Sequence, residues 1–363
     1  MQFLKLFLFS FYIGHISGYT LYRSDLLQNI QGLLHEKKGI LAIDESINTI
    51  GKRFDSISCE NTVQNRNSYR KLLLECPTIE NYISGYILSE DTFDQVSLPD
   101  KNIIYGVKLD KGLTPFIGGF PHELSSVGLD TLNYRCKKYF TKGARFAKWR
   151  TVFSIQDGKM PSDLIIHENC WTLSRFARIC QENGMVPIVE PEILMDGNHS
   201  AEVCGLAQEK ILKILYSLMR HNRVHLKGTL LKTSMTLPGV DSEEPVNENE
   251  IAYMTNKVIE NSVPKEVSGI LFLSGGLSEV EATRYLYRIK TYNTDKNRQL
   301  SFSFGRALQD SCLHSWNGKE ENTDKAQEML MIRAKRNSDA LQGISHDETG
   351  DESKSLFIRN YKY

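Results

Sequence analysis

The feature that most constrains this chain is a rhythm. From about residue 36, short apolar runs rich in β-branched and aromatic residues alternate with longer charged stretches. The runs are GILAIDES (39–46), YISGYILSE (82–90), IIYGVKLD (103–110), ARFAKWR (144–150), VPIVEPEI (186–193), GTLLKTS (228–234), SGILFLSGG (268–276) and LSFSFGRA (300–307). Between them, NRNSYRKLLLE, WTLSRFARICQEN, AEVCGLAQEKILKILYSLMR and NENEIAYMTNKVIENS place apolar residues three and four apart, the spacing of a helix face. Asn-Gly and Asn-Ser close two of these stretches with proline near behind, as helix ends do. Strand–helix alternation implies parallel pairing with right-handed crossovers. Eight such units over about 300 residues predict a (β/α)8 TIM barrel in a single domain. An open doubly wound sheet is the other α/β solution, but the turn after the first run, ESINTIGKR, lacks the G-x-G-x-x-G of that fold.

Length and charge agree with one large domain. The 363 residues carry 44 Lys+Arg against 44 Asp+Glu, and this zero net charge gives no electrostatic footprint for nucleic acid. Seven cysteines, an odd number without a C-x-x-C pair, read as reduced buried thiols rather than a disulfide or zinc scaffold. The close histidine pair His221 and His225 lacks the glutamate of an H-E-x-x-H site, so no metal is expected there. At the start, MQFLKLFLFSFYIGHISG (1–18) holds one lysine, an apolar run and small residues after it, the pattern of a secretory signal too short to span a membrane. The barrel is expected over 19–342. A last helix, TDKAQEMLMIRAKRNSDALQG, follows a polar loop after the eighth run. The polar tail, 343–363, reads as mobile and ends in Tyr361 and Tyr363.

Charges sit where a barrel interior should turn polar. Asp44 and Glu45 close the first run, Lys108 and Asp110 the third, Lys148 and Arg150 the fourth, Glu190 and Glu192 the fifth, and Lys232 the sixth, while Arg306 follows the eighth. The pairs 108/110, 148/150 and 190/192 are two apart, so both members face the same side of their strand. The C-terminal ends of barrel strands are where active sites are built. Lys232, beside Leu230 and Leu231, is the sharpest case: a buried lysine is stabilised either by a carboxylate partner or by losing its charge. A structural Lys–Glu pair and a neutral, nucleophilic amine able to form a Schiff base both fit this sequence. Two turns point to phosphate. LSGG (273–276) and FGRA (304–307) end the seventh and eighth runs, the recurrent phosphate-binding loops of these barrels, and the second brings Arg306. Arg53 and Lys52, beyond Asp44, could meet a second phosphate.

These residues resemble class I fructose-bisphosphate aldolase. The matching stretches are KKGILAIDES (37–46), ENTVQNRNSYRKLLL (60–74), GVKLDKG (106–112), GARFAKWR (143–150), VPIVEPEIL (186–194), GTLLK (228–232), LSGG (273–276) and FGRALQ (304–309), in the family's order. The resemblance implies cleavage of fructose 1,6-bisphosphate to dihydroxyacetone phosphate and glyceraldehyde 3-phosphate, without a metal or organic cofactor and in a homotetramer. It implies Lys232 as the Schiff-base lysine, Glu190 as an acid/base, Asp44 as the group taking the C4 hydroxyl proton, Lys148 as its neighbour and Glu192 as a positioning partner. Ser274, Gly275, Gly305 and Arg306 match the C1-phosphate cradle, Arg53 with Thr49 the C6-phosphate side, and Tyr363 the tyrosine that protonates the enamine. Lys108, Asp110 and Arg150 complete the mouth. Departures from the family pattern fall at Ile43, Lys227, Thr233, Ser234, Leu277 and Phe304, the last in place of a tyrosine beside the phosphate clamp. The alternatives are an aldolase-fold scaffold that bridges actin to adhesin tails, as some family members do, and another Schiff-base barrel enzyme of the transaldolase kind. The family is cytoplasmic, whereas residues 1–18 point toward the secretory route.

Overall fold

The computed structural model describes residues 18–156, 158–347 and 354–359. The expected signal segment up to residue 17 and Tyr363 lie outside the described residues. Strands β1 (Gly39–Ile43), β2 (Ile83–Leu88) and β3 (Ile104–Lys108) are followed by a short antiparallel hairpin, β4 (Leu113–Pro115) and β5 (Leu124–Ser126). Then come β6 (Phe146–Phe153), β7 (Val186–Ile193), β8 (Leu230–Thr233), β9 (Gly269–Phe272) and β10 (Leu300–Phe304). Eight of these close a parallel barrel in the order β1-β10-β9-β8-β7-β6-β3-β2, and each of the eight apolar runs supplies one strand. The hairpin between β3 and β6 carries no signal in the strand–helix rhythm.

Period-two alternation sorts each strand's side chains between two cores. Ile40, Ala42, Ile87, Phe146, Val186, Ile188, Leu230 and Leu271 form the cluster inside the barrel. Their neighbours, among them Leu41, Ile43, Tyr86, Trp149, Val189, Leu231, Phe272, Phe302 and Phe304, pack outward against the helices. Glycine makes room for this filling: a Cβ on Gly106 would lie 2.2 Å from the Phe146 ring. Helix α1 (Gly18–Leu33) joins the inner cluster through Leu26, Ile30 and Leu33, closing the N-terminal end of the barrel.

The remaining helices are α2 (Ile47–Asp55), α3 (Val63–Glu75), α4 (Glu90–Gln95), α5 (Leu132–Thr141), α6 (Asp163–Glu182), α7 (Ala201–His221), α8 (Glu248–Ser262), α9 (Glu279–Tyr292), α10 (Arg306–Trp316) and α11 (Thr323–Leu341). Several loops that leave the mouth end in a serine cap. Ser46, Ser89, Ser162, Ser200 and Ser278 each accept a bond from the backbone N–H three residues on, and Ser278 completes a capping box with Glu281. Each such cap stabilises its helix by about 1 kcal/mol and fixes where the loop ends. After β10 the structure departs from the predicted loop. Helix α10 starts at Arg306 and buries Ala307, Leu308, Cys312, Leu313 and Trp316 before α11 begins. Among the described residues no helix is long and apolar enough to cross a membrane.

Candidate active site

Because the strands alternate, the residues two places above the inner apolar cluster also face inward, and four of these are charged. Lys148 stands two above Phe146, Glu190 two above Ile188, Lys232 two above Leu230 and Asp44 two above Ala42. All four are buried. Lys148 Nζ lies 2.7 Å from Asp44 Oδ2 and 3.0 Å from Glu190 Oε2, and Lys232 Nζ lies 2.9 Å from Glu190 Oε1. Two amines and two carboxylates thus form one chain, Asp44–Lys148–Glu190–Lys232. A second tier stands beside it. Lys108 Nζ pairs with Asp110 Oδ1 at 2.8 Å, Arg150 pairs with Glu192, and Asp110 Oδ2 accepts the Arg150 backbone N–H at 3.2 Å.

Burial alone would push both carboxyls of the chain upward, but the adjacent cations outweigh it. Lys148, Lys232 and Lys108 lower Asp44 from 3.8 to about 2. Glu190 is also held below its ordinary value: burial opposes ionisation, and Lys148 and Lys232 overcome both that and the charge of Asp44. Asp110 is lowered against its burial by Lys108 and Lys148. The mouth therefore holds ionised carboxylates in direct contact with the lysine expected to react.

Two cavities meet at Asp44. One is lined by Glu190, Glu192, Lys232, Arg53, Ser274, Gly275, Gly305 and Arg306. Gly275 and Gly276 have φ of 58° and 115°, left-handed values that suit glycine. The other runs from Asp44 to Ser46, Asn48 and Ser89 and to the pairs Lys108–Asp110 and Lys111–Glu90. Both ends of the mouth therefore carry cations.

This placement regroups two residues. Arg53, expected opposite Arg306, pairs with Glu45 and lines the same cavity as Arg306. Thr49 is buried in the cap of α2, where its hydroxyl lies 2.9 Å from Ser46 Oγ and its N–H bonds the same atom, so it lines neither cavity. Ser46, Asn48 and Lys111 also reach the second cavity; the sequence marks them only by position, just after strand ends that face the mouth. Three of the departures from the family pattern are placed by the structure. Ile43 and Phe304 point outward into the shell, where Phe304 packs on Phe302, so neither faces the cavity. Ser234 instead ties β8 to β7, its hydroxyl meeting Ile193 N at 3.1 Å. Of the tail, residues 354–359 rest on the glycine loop. Leu356 N donates to Gly276 O at 3.0 Å, Arg306 donates to Leu356 O, and Arg359 grips Asp241 through both carboxylate oxygens at 2.7 and 2.8 Å. Among the described residues no cluster of His, Cys, Asp and Glu could hold a metal ion.

A parallel barrel with a lysine–carboxylate chain buried in its mouth, and cations at either end, has the makings of a lysine-dependent carbon–carbon lyase for an anionic sugar. Comparison with known proteins makes this specific. The family description "Fructose-bisphosphate aldolase class-I" matches residues 25–363. The chain is 46% identical over 358 residues to the cytosolic fructose-bisphosphate aldolase 4 of Arabidopsis thaliana, covering 95% of this chain and 91% of that one. It is 44% identical over 351 residues to the fructose-bisphosphate aldolase of Plasmodium falciparum, covering 93% and 95%. The Plasmodium enzyme solved with TRAP and a small-molecule inhibitor superposes with a TM-score of 0.87 over 90% of this chain and 96% of that one, at 44% identity. The chain belongs to the class I fructose-bisphosphate aldolase family: it is an aldehyde-lyase of glycolysis whose substrate is a sugar phosphate.

Proposed function

We propose that Lys232 is the nucleophile of this reaction and that Glu190 serves it as acid and base. The observation that carries this is the 2.9 Å contact of Lys232 Nζ with Glu190 Oε1, in a site where Glu190 is held ionised. The carboxylate takes the proton that the ammonium must lose before attack on the substrate's C2 ketone, and returns one as the carbinolamine expels water. With the iminium in place, the C3–C4 bond breaks and its electron pair moves into the enamine, while the C4 hydroxyl proton passes to Asp44. Lys148, 2.7 Å from Asp44, balances the charge there. Glu192 and Arg150 hold the wall of the site as a pair. Tyr363, outside the described residues, is assigned protonation of the enamine at C3 by family resemblance; hydrolysis of the iminium then releases the ketone product.

Ser274, Gly275, Gly305 and Arg306, now with Arg53, are the cradle for the phosphate next to the ketone, and Lys108, Lys111 and Ser46 meet the other phosphate across Asp44. Borohydride reduction in the presence of fructose 1,6-bisphosphate should trap one substrate fragment on Lys232, read by peptide mass. An adduct that survives in Lys232→Met would place the nucleophile elsewhere. A donor–acceptor exchange assay separates this activity from transaldolase chemistry.

The Plasmodium relative solved with TRAP favours a second role beside catalysis, docking of an adhesin tail, which as a scaffold the chain would bridge to actin. The family also favours a homotetramer. Sedimentation with and without an adhesin-tail peptide tests both, and a monomer that ignores the peptide would remove them. The relatives with cytosolic names favour the cytoplasm, against a secretory reading of residues 1–18. A fluorescent reporter fused to those residues decides between the two.

A further inference from the structure

The two halves of the phosphate cradle come from different elements. Ser274 and Gly275 sit in the loop that runs into α9, and Gly305 and Arg306 open α10. One side chain joins these elements from behind. Glu279, the first residue of α9, is 1% exposed. Its Oε1 accepts two bonds from a single residue of α10, Ser311 N at 3.2 Å and Ser311 Oγ at 3.1 Å. Ser311 lies five residues beyond Arg306 on the same helix. On its own helix, Glu279 O accepts from Thr283 Oγ1 at 2.9 Å, which fixes the first turn of α9.

We propose that Glu279 is a positioning residue for substrate phosphate: by bridging α9 to Ser311 of α10 it keeps the glycine loop and Arg306 at the separation one phosphate group requires. The site supports the bridge without needing a full charge on it. Burial pushes the Glu279 carboxyl up to about 7, against Arg333 of α11 and the two bonds from Ser311, with Asp310 of α10 adding to the rise and the Cys312 thiol close by. The carboxyl is therefore protonated in part of the molecules at neutral pH, and a glutamine, which keeps the accepting oxygen, mimics that form.

This inference rests on the cradle reading, and its test separates the two. The probe is sulfate, a dianion that does not titrate near neutrality, used as an inhibitor of fructose bisphosphate cleavage by the full-length enzyme. Glu279→Ala should raise both the sulfate inhibition constant and KM by about tenfold, the loss of roughly two neutral hydrogen bonds, with kcat within about twofold. Glu279→Gln should stay within about twofold of wild type in all three. Should Glu279→Ala not fold, Ser311→Ala removes one of the two donors and should move KM and sulfate inhibition about threefold in the same direction. A folded Glu279→Ala or Ser311→Ala enzyme with lowered Tm but wild-type KM and sulfate inhibition would overturn the inference, leaving Glu279 purely structural. Arg306→Ala supplies the control. If it leaves sulfate inhibition unchanged, the cradle reading itself fails; if it weakens inhibition and Glu279→Ala does not, only the positioning role falls.

Discussion

Strand β6 shows two kinds of interior two residues apart. Phe146 points into the lower half of the barrel among Val186, Ile188, Leu230 and the plug residues of α1. Lys148, one repeat higher, points into the same barrel and meets two carboxylates. Backbone geometry, burial and neighbouring strands are nearly the same. What differs is only what the facing strands offer at that height, aliphatic side chains below and Asp44 and Glu190 above. Burial of an apolar ring stabilises through area removed from water and close packing. Burial of the ammonium is tolerated because its partners are in place, and it leaves the upper half dependent on every member of the chain. The lower half supplies stability that the upper half draws on.

Three perturbations test that division. The largest effect is expected from Lys148→Met. It strands Asp44 as a buried carboxylate without its ion-pair partner and leaves Glu190 with Lys232 alone, so activity should fall by on the order of 10³-fold and stability by about 3–5 kcal/mol. Steady-state assays and urea unfolding would read both, and an active Lys148→Met enzyme would break the claim that the upper half acts as a unit. Next comes Phe146→Ala, which empties the lower half. Unfolding free energy should drop by about 3–5 kcal/mol while kcat, measured well below Tm, changes by less than about threefold. A large loss in kcat with intact folding would show that the two halves are not separable. The smallest effect concerns acid. The folded pKa of Asp44, about 2, lies below its ordinary 3.8, so its ionisation stabilises the fold above 3.8 and that contribution is lost as pH falls toward about 2. Tm should therefore decline more steeply over that window for wild type than for Asp44→Asn, and parallel curves would remove Asp44 from the account of acid lability.

Much of this was readable in the residues, for a physical reason. A parallel barrel strand buried on both faces must be a nearly continuous apolar run, so any charge within it stands out. Lys148, Glu190 and Lys232 were visible on those grounds, and the i, i+2 rule put 148/150 and 190/192 on one side. The plug was not visible: Leu26, Ile30 and Leu33 have helical spacing, but nothing local says that such a helix turns under the barrel rather than beside it. The hairpin of β4 and β5 is three residues to a strand, below the length at which alternation can be seen. That Arg53 lines the same cavity as Arg306 was not legible, because a helix face cannot be assigned to one side of a mouth until the crossover angle is known. Glu279 escaped altogether, since a glutamate in the first turn of a helix is ordinary for its dipole and reveals nothing of Ser311.

The plug helix has one more consequence. With α1 seated beneath the side chains that fill its lower half, the barrel opens only at its mouth, and substrate and products would share that doorway. Under the proposed Schiff-base mechanism, the fragment bonded to Lys232 stays anchored in the site while the aldehyde leaves. Under that mechanism covalent attachment sets the order in which products depart, and the packed lower half of the barrel confines them to the mouth.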